Sequence, residues 1–286
     1  LLTHPLNLLE TLYCLIEPIL QFVPDLLAAL FGLAFGSFLN VCITRLPKGE
    51  SVVRPRSHCR NCAWTLPWYD NMPLLSWIKL HGRCRSCRTA IPWRYPLVEA
   101  ALAALWVACL QHFGASEECV KAAILCFLLL GLAITDLEKL LLPDALTLPG
   151  LVAGLALSVL LAPGFPEADY WHSFVMSAVG AGLGAGILLV IAAAYWLARR
   201  KQGMGLGDVK LLAMIGAFLG PMQVLLVLIV GTVATSLAAL VWLLLRKFPG
   251  KWMQKPMPYG TFLALAGIFA LFFGEPIVKW YLGLGS

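Results

Sequence analysis

Charge is scarce in this chain. Of its 286 residues only 13% are Asp, Glu, Lys or Arg while 60% are hydrophobic, and the mean hydropathy is +0.83. One water-soluble core cannot hide that much apolar surface, so a soluble globular fold is excluded and a polytopic membrane protein is expected. Also missing is a glycine-rich loop in the setting that binds nucleotides. Gly203, Gly205 and Gly207 follow a long apolar run rather than a strand, so they read as a tight turn and close backbone approach. No internal repeat with paired broken helices is visible. That weighs against a proton-coupled transporter, the alternative class in which membrane aspartates relay protons. The first twenty residues have no basic n-region and no small-residue cleavage site, so no cleavable leader is expected there. Basic residues outnumber acidic ones, 21 to 15, but they fall in alternate loops, a pattern of membrane topology and not of a nucleic-acid partner.

What is present is a series of apolar runs of membrane-crossing size, about 20 residues for a typical helix. The first covers 25–43 and follows an N-terminal amphipathic segment, 1–24, interrupted by Pro5, Pro18 and Pro24. Further runs occupy 96–113, 119–135, 144–162, 172–198, 208–219, 222–245 and 259–281. Between the first two lies the one sizeable polar segment, 44–95, with ten basic side chains against Glu50 and Asp70. By the positive-inside rule it is cytoplasmic, which leaves the N-terminus outside. The expected fold is all-α, with about eight transmembrane helices, a small cytoplasmic domain at 44–95 and a seven-helix membrane domain at 96–286.

Two acidic residues stand out against this apolar background. Asp136 ends the third run and Asp208 opens the sixth, so both lie at the cytoplasmic side and at one depth. A carboxylate in such a place faces a cavity, a partner helix or a partner charge. Two aspartates sharing one proton are the working parts of an aspartic protease. Asp144 follows Pro143 at a helix start, where an aspartate serves as an N-cap.

Cys59, Cys62, Cys84 and Cys87 form two Cys-x-x-Cys knuckles. In a reducing compartment that spacing predicts a closed four-thiolate zinc site, structural because no coordination position stays open. A small module with few aliphatic side chains needs such a staple. His58 and His81 flank the knuckles but are not required as ligands, and the other cysteines are read as packing residues.

Gly36-Ser37-Phe38-Leu39-Asn40-Val41, the two knuckles, Arg94-Tyr95-Pro96-Leu97-Val98-Glu99, Asp136 with Leu142-Pro143-Asp144, and Gly205-Leu206-Gly207-Asp208-Val209-Lys210 together resemble the type IV prepilin peptidases. The match runs in order from about residue 31 to 220, and the last fifth of the chain matches only as two further spans. The resemblance implies a bifunctional enzyme of the bacterial inner membrane, in type IV pilus or type II secretion systems. It would cleave the leader of a prepilin or pseudopilin at the cytoplasmic face and N-methylate the new N-terminus with S-adenosylmethionine. It makes Asp136 and Asp208 the catalytic pair and gives Asp70, which falls where family members carry an acidic residue, a candidate role in methylation. Because a basic leader would meet a basic loop, local acidic groups are expected to dock it, and Asp70, with Gly205, Gly207 and Lys210, is a candidate substrate contact. Glu138 stands where some relatives carry another aspartate. Methylation rests on the resemblance alone.

Overall fold

The computed structural model describes residues 6–161, 169–201, 205–245 and 257–283, with side chains from Phe22 onward except that of Leu245. Every long element in it is an α-helix: α1 (Leu6–Arg45), α3 (Arg94–Phe113), α4 (Glu117–Lys139), α5 (Asp144–Leu160), α6 (Tyr170–Arg199), α7 (Leu206–Leu219), α8 (Pro221–Leu245) and α9 (Tyr259–Tyr281), with a one-turn helix α2 (Leu75–Lys79) in the polar loop. Among the described residues six helices are long and apolar enough to cross a membrane. The expected count of eight spans is not confirmed. α5 has 17 residues, the lower end of the crossing range of about 17 to 25, and α7, at 14, falls short of it. No boundary falls at 24/25, since one helix runs from Leu6 to Arg45. The basic turn expected around 246–255, Gly203 and the acidic Glu167 lie outside the described residues.

The chain divides into two compact units, and the dividing line also differs from the expected one. The first comprises residues up to Phe38 together with Arg56–Ala115, and the second Leu39–Pro55 together with Ser116 onward. In the first unit α1 lies on α3 through Gly32 and Gly36. A Cβ on Gly32 would come within 2.6 Å of the Ala103 backbone, and one on Gly36 within 2.7 Å of the Glu99 Cα. Small residues one turn apart let the two backbones meet. Phe35 packs on Trp106 at 5.0 Å between centroids, and Gln111 Nε2 donates to Asp25 Oδ2 at 3.1 Å.

The polar loop of this unit is built twice on one pattern. Cys59-Arg-x-Cys62 is followed by Leu66-Pro67-Trp68, and Cys84-Arg-x-Cys87 by Ile91-Pro92-Trp93. In the first half the Cys59 N–H donates to Trp64 O and the Ala63 N–H to Cys59 O. In the second the Cys84 N–H donates to Thr89 O and the Arg88 N–H to Cys84 O. Ala63 and Arg88, at φ of 54° and 58°, make the left-handed step that turns each knuckle. The knuckles also reach across to each other's flanks: Arg85 lies over the Tyr69 ring and Arg60 over that of Tyr95.

The second unit is a bundle organised around α7. Val209 and Leu211 to Ala217 are all buried, so this helix meets protein on every side, as a short helix apolar all round must. Glycine makes that possible on α6. A Cβ at Gly180 would fall on the Gly216 carbonyl, and one at Gly184 on the Leu212 carbonyl, whereas Gly182 and Gly186 face open space. The alternate glycines of α6 therefore present one packing face. Ser177 Oγ adds a hydrogen bond to the Ala217 carbonyl at 2.5 Å. Lys139 at the end of α4 donates from Nζ to Ile43 O at 2.7 Å, placing a cation against the carbonyl end of α1.

Candidate active site

Asp136 sits in the last turn of α4 and is 6% exposed. Its Oδ2 accepts the Thr261 N–H at 2.6 Å and lies 2.9 Å from Thr261 Oγ1. That hydroxyl is also 3.0 Å from Ala133 O, so one proton serves two acceptors. Thr261 is the third residue of α9, whose N-cap residue, Pro258, has no side-chain cap of its own. The carboxylate of α4 therefore caps α9 across 125 residues of sequence, satisfying a donor that the helix start leaves free.

Glycine again sets the distance. A Cβ on Gly260 would meet Asp136 Cγ at 3.2 Å and Leu142 Cδ1 at 2.9 Å, and one on Gly207 would meet Leu142 Cβ at 3.1 Å. Leu142 is thus wedged between the starts of α7 and α9 and brings both beside the end of α4. Asp208, in the first turn of α7, is within electrostatic reach of Asp136 and of Tyr259. The Tyr259 hydroxyl meets Thr232 Oγ1 of α8 at 3.1 Å. Two helix N-termini and one C-terminus converge here, and the positive ends of α7 and α9 face the two acidic side chains.

The remaining residues singled out from sequence are placed as follows. Lys210 Nζ holds both oxygens of Asp144, at 2.7 and 2.8 Å, tying α7 to the start of α5. Asp144 is the first helical residue and Pro143 the N-cap, so the expected capping role for Asp144 gives way to this ion pair. Gly205 is exposed, 3.7 Å from Asp208 Oδ2 by its would-be Cβ. In the first unit Asp70 is buried and bound two-pronged by Arg85, Nε to Oδ2 at 2.7 Å and Nη2 to Oδ1 at 2.6 Å. Arg85 holds the Asp70 carboxyl below the usual range, chiefly through those hydrogen bonds. A carboxylate so engaged ties the second knuckle to the loop. Asp70→Asn should therefore destabilise this loop at neutral pH. Because the folded-state pKa is depressed, wild type should lose the same contribution as pH falls through that value. Loop protection by hydrogen exchange, measured against pH for both proteins, should show the curves meeting on the acid side.

The four knuckle sulfurs lie within 4.8 Å of one another, and Cys59 Sγ is 3.7 Å from Cys87 Sγ. A tetrahedral thiolate shell with bonds of about 2.3 Å has sulfurs about 3.8 Å apart, so the set fits a metal. Hydrogen bonds from Thr89, then from Asn61, bring the Cys87 thiol down to about 5. His58 Nδ1 lies 3.0 Å from the Arg56 carbonyl, and neither flanking histidine belongs to the cluster.

Residues 30–113 match the family described as the bacterial peptidase A24 N-terminal domain, and residues 123–244 the type IV leader peptidase family. The prepilin leader peptidase/N-methyltransferase of Aeromonas hydrophila is 38% identical over 280 residues, covering 90% of this chain and 93% of its own length. The chain belongs to the type IV leader peptidase family. The protein of the same name from Myxococcus xanthus is 40% identical, but the match spans 74% of this chain and only 61% of that relative. A Burkholderia pseudomallei relative, again so named, is 36% identical over 91% of this chain and 87% of its own. No solved structure matches. Within the leader peptidase segment lie Asp136, Leu142, Asp144, Asp208 and Lys210. Thr261 and Gly260 lie beyond it. Sequence reasoning passed over both, although Pro258-Tyr259-Gly260-Thr261 is a turn-forming run opening an apolar span on the side where the aspartates were expected.

Proposed function

We infer that this chain is a prepilin peptidase and N-methyltransferase, a multi-pass membrane enzyme that removes prepilin leaders and methylates the exposed N-terminus. The names of its relatives support both activities and give no support to a transporter. The observation that supports the peptidase chemistry is that Asp136, in the last turn of α4, and Asp208, in the first turn of α7, lie within electrostatic reach of each other. In this reading one carboxylate takes a proton from water as the water oxygen attacks the scissile carbonyl. The other, protonated, gives its proton to the carbonyl oxygen. The tetrahedral adduct then collapses as the carboxyl protonated by water gives that proton to the leaving amine and the adduct's hydroxyl returns one to the other carboxylate, which restores the pair. Thr261 holds Oδ2 of Asp136, which leaves Oδ1 as the oxygen to meet water or substrate.

The substrate is a prepilin or pseudopilin whose cleavage point reaches the cytoplasmic face of the inner membrane, with the N-terminus of the enzyme outside. Basic residues concentrated between the first two spans support that orientation. S-adenosylmethionine is the methyl donor, and no residue of this chain is assigned to it. Cys59, Cys62, Cys84 and Cys87 hold a structural zinc ion, which supplies a cross-link and no reaction step. The test is leader removal from a prepilin by purified protein in lipid nanodiscs, followed by mass analysis of the product N-terminus. A single further change probes Asp136: Thr261→Val should lower kcat about tenfold to a hundredfold with KM little changed, and Thr261→Ser should restore most of the rate.

A further inference from the structure

The loop between α1 and α3 exposes apolar side chains that a water-bound module of its size would bury. Leu75 and Ile78, three residues apart on α2, are 61% and 64% exposed, Trp68 is 74% exposed and Met72 42%. Ser76 Oγ reaches the carbonyls of Tyr69 and Met72 and so joins α2 to the Trp68 turn.

α2 is held at a definite depth. The Leu74 N–H donates to Glu99 Oε2 at 2.8 Å, and Trp77 stacks on Trp93 with centroids 4.1 Å apart. Glu99 lies five residues into α3, about 7.5 Å along a helix rising 1.5 Å per residue. α3 is one of the helices able to cross the membrane, so the start of α2 is level with the edge of its apolar stretch. The outward stripe of α3, Trp93, Leu97, Ala100 and Ala104, is exposed at helical spacing and begins at the residue on which Trp77 stacks. The exposed apolar side chains of α2 thus continue the outward face of α3, which lipid covers where that helix crosses a membrane. Lys79 and Arg83 are exposed just beyond those side chains, as suits anionic headgroups.

We propose that α2 is an interfacial helix that seats the cysteine module on the bilayer, with Leu75 and Ile78 inserted at the boundary of headgroups and acyl chains. The occupant of the patch is lipid and not the apolar helix of a substrate, because depth and continuity are both set by α3. The inference rests on α3 crossing the membrane and is independent of the peptidase chemistry. It makes α2 an amphipathic surface element of the kind that lies in the membrane plane.

The test places a photo-crosslinking benzoylphenylalanine at Leu75, Ile78 or Leu97 of the full chain in nanodiscs containing anionic phospholipid, with added prepilin. Lipid adducts at 75 and 78 in yields within about threefold of those at 97 are expected. Yields below about a tenth of that, or adducts to prepilin or to a second copy of this chain, overturn the proposal. If a substituted chain misfolds, hydroxyl-radical footprinting of the unmodified protein decides. Leu75 and Ile78 should oxidise as slowly as Leu97, and oxidation as fast as that of exposed His81 would refute lipid seating.

Discussion

Asp208→Asn and Asp136→Asn should each lower kcat/KM for prepilin cleavage by roughly 10³-fold or more, because general acid–base transfer by a positioned side chain contributes about 10² to 10⁴ and each change removes one of the two transfers. The amide is nearly isosteric, and at position 136 its oxygen still accepts the Thr261 N–H, so α9 should remain capped. Unchanged zinc content and unchanged hydrogen-exchange protection of α7 would show that the loss is chemical. Either variant retaining more than about a tenth of the wild-type rate would remove that aspartate from the mechanism. The double variant should be little worse than either single one, since a pair acting as a unit is lost with its first member.

Stripping the metal should have the second large effect. Structural zinc supplies on the order of 10 to 16 kcal/mol in small cysteine-bound modules, as much as the whole stability of a typical domain, about 5 to 15 kcal/mol. A chelator strong enough to remove it, or Cys84→Ser at a buried ligand, should release one equivalent of zinc and unfold residues 56–92 while the helices stay in the membrane. Hydrogen exchange reads both outcomes together: knuckle amides such as those of Cys59 and Cys84 should exchange at once, and amides of α7 should stay protected. Freshly purified wild type containing no zinc would count directly against the assignment.

Much of this was legible in the residues themselves. A charge inside an apolar run and a repeated Cys-x-x-Cys are local signals, and they single out Asp136 and Asp208, which the fold brings within electrostatic reach, and four cysteines whose sulfurs the fold gathers. What escaped was pairwise. Nothing in the hydropathy of 259–281 tells which earlier residue its first turn will meet, so Thr261 was invisible until Asp136 was seen against it. Asp70 looked available because no spacing rule couples it to Arg85, fifteen positions on. The number of spans is not legible from hydropathy for another reason. An apolar run measures composition, and α7 is apolar because protein surrounds it, a circumstance that composition alone does not separate from lipid. The ten-residue echo between the knuckles, from Cys59 to Trp68 and from Cys84 to Trp93, was readable and would have predicted two equivalent turns.

The hydrogen bonds from Thr261 to Asp136 also order the enzyme's birth in time. A ribosome delivers Asp136 and Asp208 well before Tyr259–Tyr281 emerges, so a nascent chain that has reached the end of α8 holds both acids but lacks the donors that orient the first. On this reading proteolytic competence arrives only with α9. Half-made molecules, and products of translation halted after α8, would then share the membrane with prepilins without cutting them.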